Sequence, residues 1–111
     1  MHGKHVIGTV KVQDKELLAS EKRIKEIITS FCKRAKLSVV SETLYLFSNP
    51  AAITYCLILS QSHLIVHTWP EYDTITFDLF TCSPDYESEA VGKLFADETR
   101  GSLIDEKIIL V

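Results

Sequence analysis

The sequence predicts a single α+β domain over residues 1–111, built as a two-layer sandwich of a mainly antiparallel sheet with two helices on one face. The chain of 111 residues, with 46% hydrophobic and 24% charged residues, suits one globular unit. Its patterning gives the order β-α-β-β-β-β-α-β. Short turns between the middle strands favour antiparallel pairing, and two helices cannot cover both faces of such a sheet.

Each element has its own local pattern. The first strand is predicted over 5–12, where β-branched residues concentrate, and Asp14 is the expected cap of a helix that runs to about Ala35. Pro84 suits the first turn of a second helix, and Gly101 suits its end. The remaining predicted elements are strands 37–47, 51–60, 62–69, 74–82 and 107–111, and a helix over 86–98.

Charge and hydropathy exclude several partners. The net charge is −3, without the basic stripe that binds a phosphate backbone. The basic cluster at residues 33–36 lies where a helix should end, and cations there complement the helix dipole. The apolar run 51–59 is shorter than the ~20 residues of a membrane helix. We therefore expect a protein that binds neither nucleic acid nor membrane. Since no signal peptide is evident, we expect it to be cytoplasmic.

The histidines and cysteines do not predict a metal site. His63 and His67 are four residues apart, which is about 13 Å along a strand and too far for two ligands of one ion. The three cysteines are widely spaced and form no metal-binding pattern. A Ser/His/Asp hydrolase is also disfavoured, because the sequence has no Gly-x-Ser-x-Gly elbow.

One predicted hairpin gathers the reactive side chains. If the turn 70–73 joins two strands, His67 faces Thr76 and Gln61 faces Cys82. Apolar residues then fall on one face, which should lie under the helices. The other face carries two histidines, a carboxylate at Asp78 and the thiol of Cys82.

The same segments carry a family resemblance. The run SHLIVHTWPE at 62–71, followed by FDLFTC at 77–82, resembles the motif of prokaryotic-type S-adenosylmethionine decarboxylases. The opening GKH at 3–5 and the strand that contains Thr54 are also similar to that family. The resemblance covers most of the chain and implies a proenzyme that cuts itself and carries a pyruvoyl group.

The resemblance also implies roles for individual residues. Ser62 would become the pyruvoyl group after cleavage of the Gln61–Ser62 bond, His67 and Thr54 would assist processing, and Cys82 would protonate the substrate carbon. Gln61 departs from the glutamate usual at its position, although the cleavage chemistry uses only its backbone carbonyl. Ser62 and His67 are five residues apart, so a regular strand would point them to opposite faces. If both act, Ser62 must lie in a turn or bulge.

The implied activity is decarboxylation of S-adenosylmethionine for polyamine synthesis, through a Schiff base between pyruvoyl group and substrate amine. Two alternatives remain: a pyruvoyl-dependent decarboxylase of arginine or ornithine, or a non-processing paralogue that serves as a binding or regulatory subunit. Phe47, Trp69 and Glu71 are candidate substrate contacts, because aromatic rings stack on adenine and a carboxylate attracts a sulfonium. Nothing in this chain is left to cover the mixed open face of the sheet, and the resembled family covers it by dimerising, so we expect a two-fold homodimer.

Overall fold

Six strands form one sheet in the computed structural model, which describes residues 2–111. They are β1 (Lys4–Lys11), β2 (Val39–Ser48), β3 (Ala51–Leu59), β4 (Ser62–Trp69), β5 (Thr74–Thr81) and β6 (Ser102–Leu110). Their order across the sheet is β2-β3-β4-β5-β1-β6, and every neighbouring pair is antiparallel. The predicted α+β architecture and strand order along the chain are confirmed.

Two helices, α1 (Glu21–Arg34) and α2 (Val91–Thr99), cover one face of this sheet. Three phenylalanine rings pack together in the core between the helices and the sheet. The ring of Phe95 in α2 lies 5.1 Å from that of Phe31 in α1 and 4.5 Å from that of Phe77 in β5. All three rings are buried, and removing one such ring from a core costs about 3–5 kcal/mol. Gly8 is required beneath them, since a Cβ there would lie 2.5 Å from the Phe77 ring.

Several predicted boundaries are wrong at the ends of the elements. Asp14 does not cap α1: a 3-10 turn spans Lys15–Ala19, and the Ser20 hydroxyl accepts a hydrogen bond from the Arg23 amide at 3.2 Å. The second helix begins five residues later than predicted, at Val91, because residues 83–87 form a loop and a 3-10 turn follows it. The Tyr86 hydroxyl ties that loop to the carbonyl of Ala35 at 2.8 Å.

The two edge strands also depart from prediction. β6 begins at Ser102 rather than 107, since charged residues at 105–107 interrupt its apolar pattern, as charges often do on edge strands. β2 begins at Val39 rather than 37, next to a register shift between Val39 and Ser41. No helix within residues 2–111 is long and apolar enough to cross a membrane.

Candidate active site

The hairpin of β4 and β5 has the predicted register. Ser62 pairs with Thr81, His63 with Phe80 and His67 with Thr76. The side chains that the pattern assigned to the helix-covered face are all buried, namely Leu64, Val66, Ile75, Phe77 and Leu79. The opposite face, here called the open face, carries the histidines and Asp78, because β-strand side chains alternate between faces.

A tight turn places the Gln61–Ser62 bond at one end of this hairpin. Leu59 pairs with Ser62, so that only Ser60 and Gln61 form the turn between β3 and β4. Gln61 has a left-handed backbone with φ 57°. The amide of Cys82 donates a hydrogen bond to the Gln61 carbonyl at 3.3 Å. The predicted closeness of residues 61 and 82 is therefore confirmed at the backbone, and the Cys82 thiol is exposed beside it.

Ser62 and His67 do not meet within one chain. Both lie in the regular ladder of β4, where five residues span about 16 Å. The partners of Ser62, Leu59 and Thr81, belong to the helix-covered face, whereas His67 pairs with Thr54 on the open face. Ser62 is thus the first residue of a regular strand and not part of the bulge that would bring it to His67.

A second group of residues surrounds a cleft at the opposite end of β4. The cleft has a volume of about 320 Å³, within the range of small-molecule sites. It brings together the three predicted substrate contacts and two of the predicted processing residues: Phe47, Thr54, His67, Trp69 and Glu71. Phe47 also packs edge-on against Tyr45, with ring centroids 4.7 Å apart.

Hydrogen bonds hold the floor of this cleft in place. The Thr54 hydroxyl lies 2.9 Å from Nδ1 of His67, and the indole N–H of Trp69 donates to the Thr76 hydroxyl at 2.9 Å. Buried Thr68 accepts from the Ile53 amide at 2.8 Å and donates to the Leu18 carbonyl at 2.7 Å. Sequence reasoning missed Thr68 and Thr76, because their roles arise from pairing between strands and not from a local motif.

Four side chains form a cluster on the open face, and the contacts that His5 of β1 makes in it were not predicted. His5 Nδ1 donates to a carboxylate oxygen of Asp78 at 3.0 Å. The ring of Phe80 lies 4.8 Å from that of His5 and stacks on that of His63 at 5.5 Å. Phe80 is two residues before Cys82, so this cluster lies at the end of β5 that leads into Cys82.

The three cysteines differ in environment. Cys32 lies on the buried face of α1, where burial, with a contribution from Glu42, raises the pKa of its thiol to about 11. Cys56 is half-buried and Cys82 is exposed. Cys82 is thus the most accessible of the three thiols.

The protein is a two-layer α+β domain with Ser62 beside the turn between β3 and β4 and an aromatic cleft at the other end of β4. Comparison with known proteins identifies its family. The model of the family described as S-adenosylmethionine decarboxylase matches residues 4–105. The chain therefore belongs to the S-adenosylmethionine decarboxylase family.

Individual relatives agree with this assignment. An S-adenosylmethionine decarboxylase proenzyme of Archaeoglobus fulgidus is 32% identical over 96 residues, covering 86% of this chain and 85% of the relative. One from Thermoplasma acidophilum is 31% identical over 108 residues, covering 97% and 82%. The crystal structure of the adenosylmethionine decarboxylase from Aquifex aeolicus superposes with a TM-score of 0.82 at 24% identity, over 96% of this chain and 88% of that one, which supports the fold.

Proposed function

We propose that this protein is a pyruvoyl-dependent S-adenosylmethionine decarboxylase that cuts itself between Gln61 and Ser62. The observation that carries the proposal is the hydrogen bond from the Cys82 amide to the Gln61 carbonyl, directly before Ser62. Family membership supports the substrate, which relatives carry in their names. Arginine and ornithine remain the alternative substrates.

The cut begins with the Ser62 hydroxyl. Its oxygen attacks the Gln61 carbonyl carbon, the C–N bond breaks, and the serine nitrogen takes the hydroxyl proton, which converts the amide into an ester. Removal of the Ser62 α-proton then expels the Gln61 carboxylate and leaves a dehydroalanine. Its enamine tautomerises to an imine, and water hydrolyses the imine to a keto group and ammonia.

The residues around this bond fit such a reaction. A backbone N–H aimed at the scissile carbonyl polarises it and stabilises the negative oxygen that forms during attack. The Cys82 amide already occupies that position, and the turn leaves the bond accessible, since Gln61 is exposed. The pyruvoyl group, once formed, supplies an electrophilic carbonyl for the substrate amine and an electron sink for decarboxylation.

His67 needs a second protomer to reach Ser62. Within one chain the two lie at opposite ends of β4 and on opposite faces. An antiparallel two-fold pairing of open faces sets the Ser62 end of β4 in one protomer over the cleft of the other, and the reaction then requires the Ser62 hydroxyl to turn toward the open face. The open face offers exposed apolar side chains for such a contact, including Ile58 at 59% and Ile7 at 39% exposure. We propose a homodimer with two composite sites, each combining Ser62 and Cys82 of one protomer with Thr54 and His67 of its partner.

Different residues of the cleft contact different parts of the substrate. Phe47 and Trp69 are half-exposed, at 47% and 40%, and offer ring faces on which an adenine can stack. Glu71 contributes a carboxylate for the positive sulfonium. Cys82 is the proposed proton donor to the substrate carbon after carbon dioxide leaves, because a thiol can give a proton near neutral pH.

Intact-mass measurement of the purified chain tests the cut. We expect conversion to fragments 1–61 and 62–111, the second blocked to Edman sequencing because it starts with a keto group. Ser62→Ala should remain uncut. A substrate panel of S-adenosylmethionine, arginine and ornithine, followed by carbon dioxide release, identifies the substrate. A chain that stays intact on prolonged warm incubation contradicts the proposal and favours the non-processing paralogue.

A further inference from the structure

We infer that the left-handed backbone of Gln61 accelerates the self-cleavage by straining the bond that is cut. This inference rests on the proposed cleavage at Ser62 and concerns its rate. Four residues other than glycine within the described residues 2–111 have positive φ, and Gln61 alone among them directly precedes a proposed reaction site. The remaining three, Lys36, Asp73 and Arg100, lie at other turns and helix ends.

The strain acts on the reacting carbonyl itself. In the left-handed conformation of an L-residue, the Cβ atom crowds the carbonyl oxygen that follows it. At Gln61 that oxygen belongs to the scissile peptide and accepts the hydrogen bond from the Cys82 amide. The crowded atom and the atom that becomes negatively charged during attack are therefore the same.

The surrounding sheet prevents the turn from relaxing. Leu59 and Ser62, on either side of the turn, are paired with each other, and Ser62 is also paired with Thr81 in β5. The fixed ends of this two-residue turn hold Gln61 in its left-handed conformation. Strained conformations of this kind persist only where neighbouring structure imposes them.

The reaction relieves this strain. When the Ser62 hydroxyl adds, the carbonyl carbon becomes tetrahedral and its oxygen leaves the crowded plane. As the C–N bond breaks, Gln61 loses its rigid link to β4 and is free to rotate. Strain that is present in the starting peptide and reduced in the transition state lowers the barrier by the difference.

The decisive comparison is Gln61→Gly with Gln61→Ala. Both remove the amide side chain, but alanine keeps the Cβ and glycine does not. We expect Gln61→Ala to cut at nearly the parent rate and Gln61→Gly to cut more slowly, by up to about tenfold, which corresponds to about 1.4 kcal/mol. Intact mass against time gives the rates.

Two control variants separate strain from flexibility. Ser60→Gly loosens the same turn at a residue that lacks positive φ, and Arg100→Gly removes a left-handed Cβ at the end of α2. Both should cut at the parent rate. Equal rates for Gln61→Gly and Gln61→Ala, or equal slowing by Ser60→Gly, would overturn the inference while leaving the proposed function intact.

Melting temperatures test the strain at Gln61 independently of the cleavage rate. In the uncut Ser62→Ala background, adding Gln61→Gly should give a higher melting temperature than adding Gln61→Ala, because only glycine removes the crowding. A melting temperature for the glycine variant at or below that of the alanine variant shows an unstrained turn and also overturns the inference. A parent chain that never cuts contradicts the proposed function instead.

Discussion

The hydroxyl of Thr54 and Nδ1 of His67 lie 2.9 Å apart across β3 and β4. This contact orients the imidazole ring of His67, which lines the cleft. A histidine held at one ring nitrogen by a neighbouring side chain is oriented, as in other catalytic arrangements. In the proposed reaction, Thr54 would act through His67 as a positioning residue.

Thr54→Val should slow processing while preserving the fold. Valine keeps the shape of threonine but lacks the hydroxyl, so the imidazole loses its partner, and loss of one such hydrogen bond costs about 1 kcal/mol. We expect a several-fold slower cut with the unfolding temperature nearly unchanged, measured by intact mass and circular dichroism. Thr54→Ser should restore the rate. If valine and serine variants cut equally fast, the hydroxyl has no part in orienting His67.

Cys82→Ala should separate the two reactions. The substitution leaves the backbone amide that contacts the Gln61 carbonyl, so cutting should proceed. Decarboxylation should fall by at least about 10²-fold, the usual contribution of a positioned acid, and misplaced protonation should convert the pyruvoyl group to alanine. Turnover assays and intact mass check both effects. Cys56→Ala, at a half-buried thiol, is the matched control, and parent-like turnover by the Cys82 variant would exclude its thiol from the reaction.

Ile58→Lys should break the proposed dimer. Ile58 is 59% exposed and pairs with His63 on the open face, where an added charge would have to be buried between protomers. We expect sedimentation at low micromolar concentration to show monomers of Ile58→Lys and dimers of the parent. Ile104→Lys, at a residue 57% exposed on β6, should remain dimeric. Monomers of the parent chain would rule out the composite site.

Alkaline pH should weaken the fold through Cys32. Burial raises the pKa of this thiol from 9.0 to about 11, so the unfolded chain releases the proton first and stability falls as pH rises through that interval. Urea unfolding across the same interval should show a smaller loss for Cys32→Ala than for the parent. Cys56→Ala should follow the parent. Parallel curves for all three proteins would mean that the Cys32 thiol is not protected in the folded state.

The hairpin of β4 and β5 could be predicted from the sequence because two physical signals agree there. Alternating burial from Leu64 to Leu79 and a short turn leave one register that keeps apolar side chains inside. Contacts between residues far apart in the chain could not be predicted, because no local sequence pattern indicates them. The pair His5–Asp78 spans 73 positions and depends on β1 lying beside β5, which no single-strand periodicity reports.

The sequence named residues that the structure places in the cleft and beside the turn, but it did not predict how these two groups are arranged relative to each other. The family resemblance proposed roles for Ser62, Cys82, His67 and Thr54. Strand periodicity added that Ser62 and His67 should point to opposite faces of a regular strand. A choice between a local bulge and a second protomer requires the turn geometry, which depends on the backbone of Gln61. That residue is left-handed without being glycine, asparagine or aspartate, so its type carries no sign of the conformation.

The strand order interleaves the two fragments of the cut chain within one sheet. A break after Gln61 would assign β1, β2 and β3 to one piece and β4, β5 and β6 to the other. Across the sheet β2-β3-β4-β5-β1-β6, the first piece then contributes its β1 between β5 and β6 of the second. Three strand junctions join the pieces, and neither holds a complete sheet. Separation would therefore require dismantling the fold, so the mature molecule behaves as one body with two extra chain ends.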